Sequence, residues 1–296
     1  MGKKKAVYSI VSKVILFLIG VVCAFMLISY GSTFAHTDRD QLPEEEVEVT
    51  NPEATEPEPT EYVYEATEPE PEQTEYVSDE PWPDRVVFLT FDDGPGLRTH
   101  TLLDVLYEHD VPAIFFLLGQ SMTYHPDNEG TFRRILDEGH YIGLHSMSHN
   151  YNALYRAEGA VDRFVSEMLQ LQEIIYDLVG HHTNLCRAPF GMMSGFVPDI
   201  GHAQAVEEAG IKCIDWNVDP RDWENTADLI LSHVINQVEM MNYPSELVIV
   251  LHERLETIEA LPAIIAYLRS HGYVFKTYTP GYEFNYMNYR NRLHNN

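Results

Sequence analysis

The chain has 296 residues and a formal net charge of -27 at pH 7. This length accommodates one large domain with appended segments. The acidic excess argues against a nucleic-acid-binding protein, which needs clustered basic side chains. Its three cysteines, Cys23, Cys186 and Cys213, are too few for a disulfide framework. Cys186 and Cys213 could pair if their strands are neighbours, although two buried free thiols are favoured.

Residues 1–36 contain four lysines and no acidic residue, and an apolar run extends from about residue 14 to residue 30. Basic residues before an apolar run keep that end in the cytoplasm. A run of about 17 residues fits either a cleaved signal peptide or a short membrane-spanning helix. The sequence favours a retained single-pass anchor in the cell membrane with an extracellular catalytic domain. Secretion after cleavage, with Ala35 at the cleavage site, is the alternative.

Residues 37–82 form an acidic segment rich in Pro, Glu and Thr, in which 54–63 is imperfectly repeated at 66–77. Residues 37–80 hold 17 acidic side chains against one arginine. Such a segment cannot bury a core and its charges repel one another, which predicts an extended, disordered stalk. A functional stalk and a plain spacer fit this composition equally well.

From residue 83 to residue 296 the pattern predicts a single α/β domain of alternating strands and helices. In chain order, the predicted strands are 86–91, 113–118, 141–145, 184–188, 212–217, 247–252 and 273–277. The clearest predicted helices are 161–178, 227–240 and 258–270. Strand–helix alternation indicates a parallel sheet or a barrel. Seven strand candidates suit a barrel slightly short of eight units.

Two adjacent acids, Asp92 and Asp93, end the first predicted strand within the sequence Thr90–Pro95. Active sites of α/β folds lie at the carboxyl ends of strands. Neighbouring strand side chains point in opposite directions, so only a bend brings both acids to one site, and Gly94 permits that bend. One acid could then bind a metal while the other acts as a base. An ordinary Asp-Asp-Gly-Pro turn is the alternative.

His145 and His149 follow the third predicted strand. Four residues apart, they lie on one helical face or in a loop that mimics one, and they can share a metal. With one aspartate they supply three protein ligands, which leaves positions open for water and substrate, as in a catalytic site. The pattern alone is weak evidence, because the chain has 14 histidines.

Three further polar groups lie at or just after the ends of predicted strands. Arg187 can pair with a carboxylate and keep it ionised, and a turn after it can present a backbone N–H to an oxyanion. Asp222 can orient a histidine beside Trp223, and His252 ends an apolar strand. Taken separately, each has a structural alternative: a surface arginine, solvated acids around a core tryptophan, and a structural histidine.

Together, these elements resemble the polysaccharide deacetylase (NodB-homology) family, carbohydrate esterase family 4. The matching motifs are 90–95, 145–149, 187–191, 222–223 and 250–252, within about residues 84–280. The resemblance implies an incomplete, distorted (β/α) barrel. It also implies a metal site formed by Asp93, His145 and His149, most often holding Zn²⁺, with Co²⁺, Mn²⁺ and Ni²⁺ also accepted in the family.

The resemblance assigns the remaining roles residue by residue. Asp92 corresponds to the general base, Arg187 to the residue that orients it, His252 to the general acid and Asp222 to the acid that tunes His252. The substrate-binding positions are Phe190, through its backbone N–H, and Trp223 and Val250, which receive the acetyl methyl group. Val250 and Glu253 stand where the family usually has Leu and Asp, which bears on acyl preference and pocket shape.

The implied reaction is metal-dependent removal of N-acetyl groups from N-acetylglucosamine residues of a cell-wall polysaccharide, with peptidoglycan strands favoured as substrate. A chitin-oligosaccharide deacetylase and an acetyl-xylan esterase are alternatives within the family. A catalytically silent wall-binding protein is an alternative of another class, but such a protein is expected to have lost a ligand or the base. Some relatives that act on muramic acid have Asn at the position of Asp93.

Overall fold

The computed structural model describes residues 83–192 and 201–284. The predicted anchor and stalk, within 1–36 and 37–82, lie outside these ranges, and the domain boundary at residue 83 also stays a prediction. None of the helices found in the described ranges is long and apolar enough to cross a membrane.

The described residues form one parallel sheet, as the strand–helix alternation predicts. Its strands are β1 (Val86–Gly94), β2 (Ala113–Leu117), β3 (Tyr141–Leu144), β4 (Leu185–Cys186), β5 (Lys212–Cys213), β6 (Glu246–His252) and β7 (Val274–Phe275). The order is β5-β4-β3-β2-β1-β6, and β7 pairs with the start of β1. β1 therefore lies between β2 and β6, and β6 pairs with it from Val86 to Asp92.

Helices connect the strands of this sheet. They are α1 (Thr99–Glu108), α2 (Gly119–Met122), α3 (Asn128–Asp137), α4 (Tyr151–Tyr155), α5 (Ala160–Val179), α6 (Gly201–Glu208), α7 (Ala227–Met240) and α8 (Leu255–Ser270). The predicted helices correspond to α5, α7 and α8. α8 begins three residues before the predicted start at 258 and contains Pro262.

Strand side chains alternate between two apolar layers. Leu89 and Phe91 of β1 pack outward in the larger cluster, whereas Phe88 belongs to a smaller cluster with Ile114, Phe116 and Val248 on the other face of the sheet. A strand that is buried on both faces has apolar side chains at every position, not at alternate ones. The continuous apolar run from Val86 to Leu89 predicted β1 for this reason. The smaller cluster fills the concave side of the curled sheet.

The curled sheet stops short of a regular barrel. The segment after β5 passes close to β6, and Val218 forms an isolated parallel bridge with Ile249. The sequence prediction of an incomplete barrel is thus confirmed, although β4, β5 and β7 have only two residues each. Cys186 and Cys213 occupy paired positions on β4 and β5, and both are buried free thiols.

Candidate active site

The two acids of β1 reach the same cavity through a distortion of the strand end. Asp92 follows the strand alternation and lies on the same face as Thr90. Asp93 has a φ of 69°, and the pairing of β1 with β2 shifts between Asp92 and Gly94. The bend expected at Gly94 therefore lies at Asp93 itself, a residue type that tolerates left-handed backbone better than most. A cis peptide follows between Gly94 and Pro95.

Asp93, His145 and His149 bring three ligand atoms within 4.8 Å of one another. Asp93 Oδ1 lies 3.5 Å from the Nε2 atom of each histidine. This buried oxygen nevertheless forms no hydrogen bond with any described residue. Three ligand atoms that converge without hydrogen bonding to one another fit a shared cation. The set of one carboxylate and two imidazoles fits Zn²⁺ and similar divalent metals.

The histidine pair lies in a loop after β3, not on a helix. Ser146 and His149 adopt positive φ values of 70° and 51°, which excludes the helical alternative. His145 Nδ1 lies 2.9 Å from the carbonyl oxygen of Arg187, so this nitrogen carries the proton and Nε2 keeps a free lone pair. Burial, followed by the nearby His145, lowers the pKa of His149, which favours the neutral form that binds metals.

A carboxylate from α5 holds this loop in place. Glu167 Oε2 accepts hydrogen bonds from the backbone N–H groups of Met147 and Ser148 at 3.1 and 2.9 Å. Its Oε1 accepts a third, at 3.0 Å, from the Ser148 hydroxyl. These three bonds fix the residues between the two histidines. Sequence reasoning missed Glu167, since one glutamate on an amphipathic helix gives no sign of a distant partner.

Arg187, which follows β4, is fully buried and contacts Asp92. Its Nη1 donates to Asp92 Oδ1 at 2.8 Å and to Thr90 Oγ1 at 2.6 Å. Its Nη2 donates to the carbonyl oxygen of Asp215 at 3.0 Å, and its guanidinium lies 4.4 Å from the ring centroid of Phe116. The arginine therefore has polar partners for its charge and holds Asp92 in one orientation.

His252 and Asp222 form the opposite wall of the site. His252 Nδ1 lies 2.7 Å from Asp222 Oδ1, while Asp222 Oδ2 accepts from the His252 backbone N–H at 2.7 Å and from Thr257 Oγ1 at 2.6 Å. Burial lowers the pKa of His252, but the hydrogen bond and charge of Asp222, together with the charges of Asp92 and Asp93, outweigh it and raise this pKa to about 9. The imidazole is thus protonated near neutral pH, with Nε2 facing the cavity 3.8 Å from Asp93 Oδ2.

The groups described above surround one cavity of about 970 Å³. Phe190 (φ 67°) lies in the turn after Arg187, with its ring 4.5 Å from that of His149. We find no acceptor for the Phe190 N–H within residues 83–192 and 201–284. Val250 lies buried at the cavity floor. The half-exposed Trp223 ring lies 5.8 Å from His252 at an interplanar angle of 89°.

Glu253 is a further, partly buried acid at this cavity. Its Oε2 accepts hydrogen bonds from the Gly96 N–H at 2.9 Å and the Thr99 hydroxyl at 2.6 Å. Burial raises the pKa of Glu253, while these two hydrogen bonds lower it. Glu253 therefore ties the end of β6 to the turn that follows Asp93. The sequence showed that Glu253 replaces the usual Asp at this position. It did not show that Glu253 contacts Gly96 and Thr99.

The structure brings together all ten residues that sequence reasoning selected. Asp93, His145 and His149 converge on one point, Asp92 and His252 face it from adjacent strands, and Arg187 and Asp222 contact those two from behind. Phe190, Trp223 and Val250 line the same cavity. The arrangement can hold a cation between an acid, Asp92, and a protonated imidazole, His252.

Comparison with known proteins points to one family. The family model for polysaccharide deacetylases matches residues 79–214. A peptidoglycan-N-acetylglucosamine deacetylase of Bacillus cereus is 36% identical over 195 residues, which cover 64% of this chain and 68% of the relative. A chitooligosaccharide deacetylase of Sinorhizobium fredii is 32% identical over 209 residues, which cover 64% of this chain and 89% of that protein.

A solved structure supports the same grouping. The crystal structure of the polysaccharide deacetylase Bc1974 from Bacillus cereus superposes with a TM-score of 0.59 at 34% identity, covering 68% of this chain and 95% of the other. The family-model match ends at residue 214, before Asp222 and His252. The assignment of Asp222 and His252 to the site therefore rests on the geometry described above.

Proposed function

Because the chain belongs to the polysaccharide deacetylase family, and is a hydrolase of that family, we propose that it removes N-acetyl groups from N-acetylglucosamine residues of peptidoglycan with the help of a divalent metal. The observation that carries this proposal is the convergence of Asp93, His145 and His149 beside Asp92 and His252. It supplies a metal site, a base and an acid around one cavity.

The metal would be held by Asp93 Oδ1 and the two Nε2 atoms of His145 and His149. A bound divalent ion polarises a carbonyl oxygen and makes water a nucleophile near neutral pH. Zn²⁺ is the favoured ion because imidazole and carboxylate suit it, and Co²⁺, Mn²⁺ and Ni²⁺ share these ligand preferences. The hydrogen bond from His145 Nδ1 and the loop contacts of Glu167 hold the donor atoms in position.

Asp92 acts as the general base in this proposal. It accepts a proton from the attacking water while that oxygen bonds to the acetyl carbon. The contact with Arg187 Nη1 holds Asp92 Oδ1 in one orientation, and Asp92 lines the cavity. The backbone N–H of Phe190 donates to the carbonyl oxygen as negative charge develops on it.

His252 acts as the general acid. Its Nε2 donates a proton to the amide nitrogen as the carbon–nitrogen bond breaks, since an unprotonated amide nitrogen is a poor leaving group. The contact with Asp222 supports this role by keeping the imidazole protonated near neutral pH. Water and the N-acetyl sugar thus yield acetate and a free sugar amine, with the acetyl methyl group between Trp223 and Val250.

Peptidoglycan is the favoured polymer because the Bacillus cereus relative is named for it. A protein named as a chitooligosaccharide deacetylase supports the second candidate, since 89% of that protein is covered by the match. Hydrolysis of an acetyl ester on xylan would use the same groups and is the third. A silent wall-binding protein is disfavoured by the complete set of catalytic residues.

We further propose that the N-terminal apolar run of residues 14–30 anchors the enzyme in the cell membrane and that 37–82 carry the domain outward. Export agrees with a polymer substrate that lies outside the membrane. Mass spectrometry of the mature N-terminus distinguishes the anchor from secretion: a new terminus after Ala35 would show cleavage.

The test of the catalytic proposal is acetate release from purified peptidoglycan, chitooligosaccharides and acetylated xylan, with and without chelator. We expect acetate from peptidoglycan, loss of activity with chelator and recovery when a divalent metal is restored. Acetate from chitooligosaccharides alone would identify the second candidate. Metal binding without acetate from any of the three would refute the enzymatic proposal.

A further inference from the structure

Two arginines lie at the active-site cavity without a part in the chemistry described above. Arg221 is in the segment after β5 and has a φ of 54°, and Arg254 follows β6 directly. Both line the cavity that contains Asp92 and His252. No other Arg and no Lys is found among the described residues that line it.

Both arginines are close to the reacting groups but do not touch them. The Arg221 guanidinium lies 6.0 Å from the ring centroid of Trp223, which is in turn 5.8 Å from the ring of His252. The backbone N–H of Arg254 donates to the carbonyl oxygen of His252 at 2.7 Å. Arg221 therefore lies beside the Trp223 ring and Arg254 is two residues after His252, both at the cavity where the N-acetyl group would bind.

Both side chains are available to a ligand. Arg221 is 59% exposed and Arg254 is 43% exposed. Their closest acidic contacts run through Nε, to Glu224 at 2.8 Å and to Glu256 at 3.6 Å. Exposed ion pairs of this kind hold a side chain only weakly. The two Nη groups of each guanidinium can take a carboxylate in a two-point contact.

The surrounding charge makes these cations unusual. The cavity also contains the acids Asp92, Asp93, Asp219 and Glu253, and the chain as a whole carries a net charge of -27. Such a surface repels a polyanion. Peptidoglycan is anionic, because its muramic acid residues carry, through their lactyl groups, peptides with free carboxylates next to each N-acetylglucosamine. Chitin chains carry no charge.

We propose that Arg221 and Arg254 form a subsite that binds a carboxylate of the peptidoglycan strand, supplied by the lactyl-peptide substituent beside the sugar being deacetylated. This inference rests on the proposed function and adds the feature that selects peptidoglycan over neutral N-acetylglucosamine polymers. It assigns the two arginines to substrate binding, because a contact remote from the reacting bond acts equally on bound substrate and transition state.

The test compares the full chain carrying Arg221→Gln, Arg254→Gln or both on two substrates. On peptidoglycan we expect a fall in kcat/KM of about threefold for each single variant and about tenfold for the double variant, mostly through KM. On chitooligosaccharides kcat/KM should stay unchanged. Replacing both by lysine should restore only part of the loss, because the positive charges return without the two-point contact. Salt should weaken the wild-type preference for peptidoglycan and leave the double variant unaffected.

Arg133→Gln is the matched control. Arg133 is 55% exposed and paired with Glu129 at 2.8 Å, as Arg221 is with Glu224, but it is not among the lining residues of the cavity. It should change neither activity. Peptidoglycan glycan strands freed of peptide identify the source of the carboxylate. Peptide removal frees the lactyl carboxylate, which the intact strand holds in an amide bond. Selectivity that disappears assigns the contact to a peptide carboxylate, and selectivity that survives shows that the freed lactyl carboxylate can take its place.

Equal losses on both substrates, or no loss on peptidoglycan, would overturn the subsite while leaving the deacetylase proposal intact. A wild-type enzyme that releases acetate from chitooligosaccharides but not from peptidoglycan would overturn the proposed substrate and the subsite with it. The two failures are therefore distinguishable within one experiment.

Discussion

Replacing Asp222 with asparagine should move the alkaline limit of activity to lower pH. Asp222 is fully buried and contacts His252 Nδ1 at 2.7 Å, and it is the strongest of the groups that raise the pKa of His252 to about 9. The general acid works only when protonated. Activity is therefore present below this pKa and is lost as pH rises through it.

The size of the effect follows from the two pKa values. Without the carboxylate, the pKa of His252 should fall from about 9 toward the ordinary value of 6.5. At about 1.4 kcal/mol per pKa unit, this fall in the pKa of His252 corresponds to about 3.5 kcal/mol, which is an upper limit because Asp92 and Asp93 remain. An imidazole with a pKa near 6.5 is about one-tenth protonated at pH 7.5, so acetate release at that pH should fall about tenfold.

The assay is kcat/KM for acetate release between about pH 5 and pH 10. Asp219→Asn is the comparison variant, because Asp219 lines the same cavity and its charge reaches His252, but no hydrogen bond joins it to that ring. We expect the alkaline limit to move much farther for Asp222→Asn than for Asp219→Asn, because Asp222 both hydrogen-bonds to His252 and raises its pKa through its charge. An unchanged limit in Asp222→Asn, or an equal displacement in Asp219→Asn, would refute the assignment of His252 as the acid tuned by Asp222.

Three further predictions concern the base, the metal and the loop. Asp92→Asn should lower kcat by about 10²- to 10⁴-fold with the metal retained in elemental analysis, and near-normal turnover would rule out its role as base. His145→Ala should abolish stoichiometric metal binding, so full metal occupancy in that variant would contradict the ligand set. Glu167→Ala should increase sensitivity to chelators about tenfold, whereas Glu167→Gln, which still offers an acceptor oxygen, should lie closer to wild type. Glu173→Ala, an exposed change on the same helix, is its control and should behave as wild type.

Much of the fold could be predicted because its strands are buried on both faces. Runs such as 86–91 and 247–252 are long, apolar and bounded by polar residues, and the structure places β1 and β6 there. The prediction was less accurate at β4, β5 and β7. There the apolar run continues into residues that turn away to build the site or to close the sheet, as Val218 does. Local composition does not distinguish the residues that leave the sheet from those that stay hydrogen-bonded within it.

The candidate site was predictable only where the chemistry lies in short motifs. Asp92 and Asp93 are adjacent, and the two histidines are four residues apart, so a single segment displays each pair. The supporting contacts are long-range: Glu167 reaches Ser148 from another element, and Asp215 accepts from Arg187 through its carbonyl oxygen. No local pattern encodes such pairs. The bend at Asp93 was also missed, because aspartate is less often left-handed than the glycine that follows it.

The pairing of β1 with β6 has a consequence for how this protein can tolerate change. Asp92 is the ladder partner of His252, so the two residues that exchange protons with the substrate are matched by backbone hydrogen bonds. Inserting or deleting one residue inside β6 would turn His252 to the opposite face of the sheet, because strand side chains alternate. Insertions or deletions between α7 and β6 leave the pairing of Asp92 with His252 intact. We therefore expect tolerated insertions to concentrate in residues 241–245 and to be absent from 247–252.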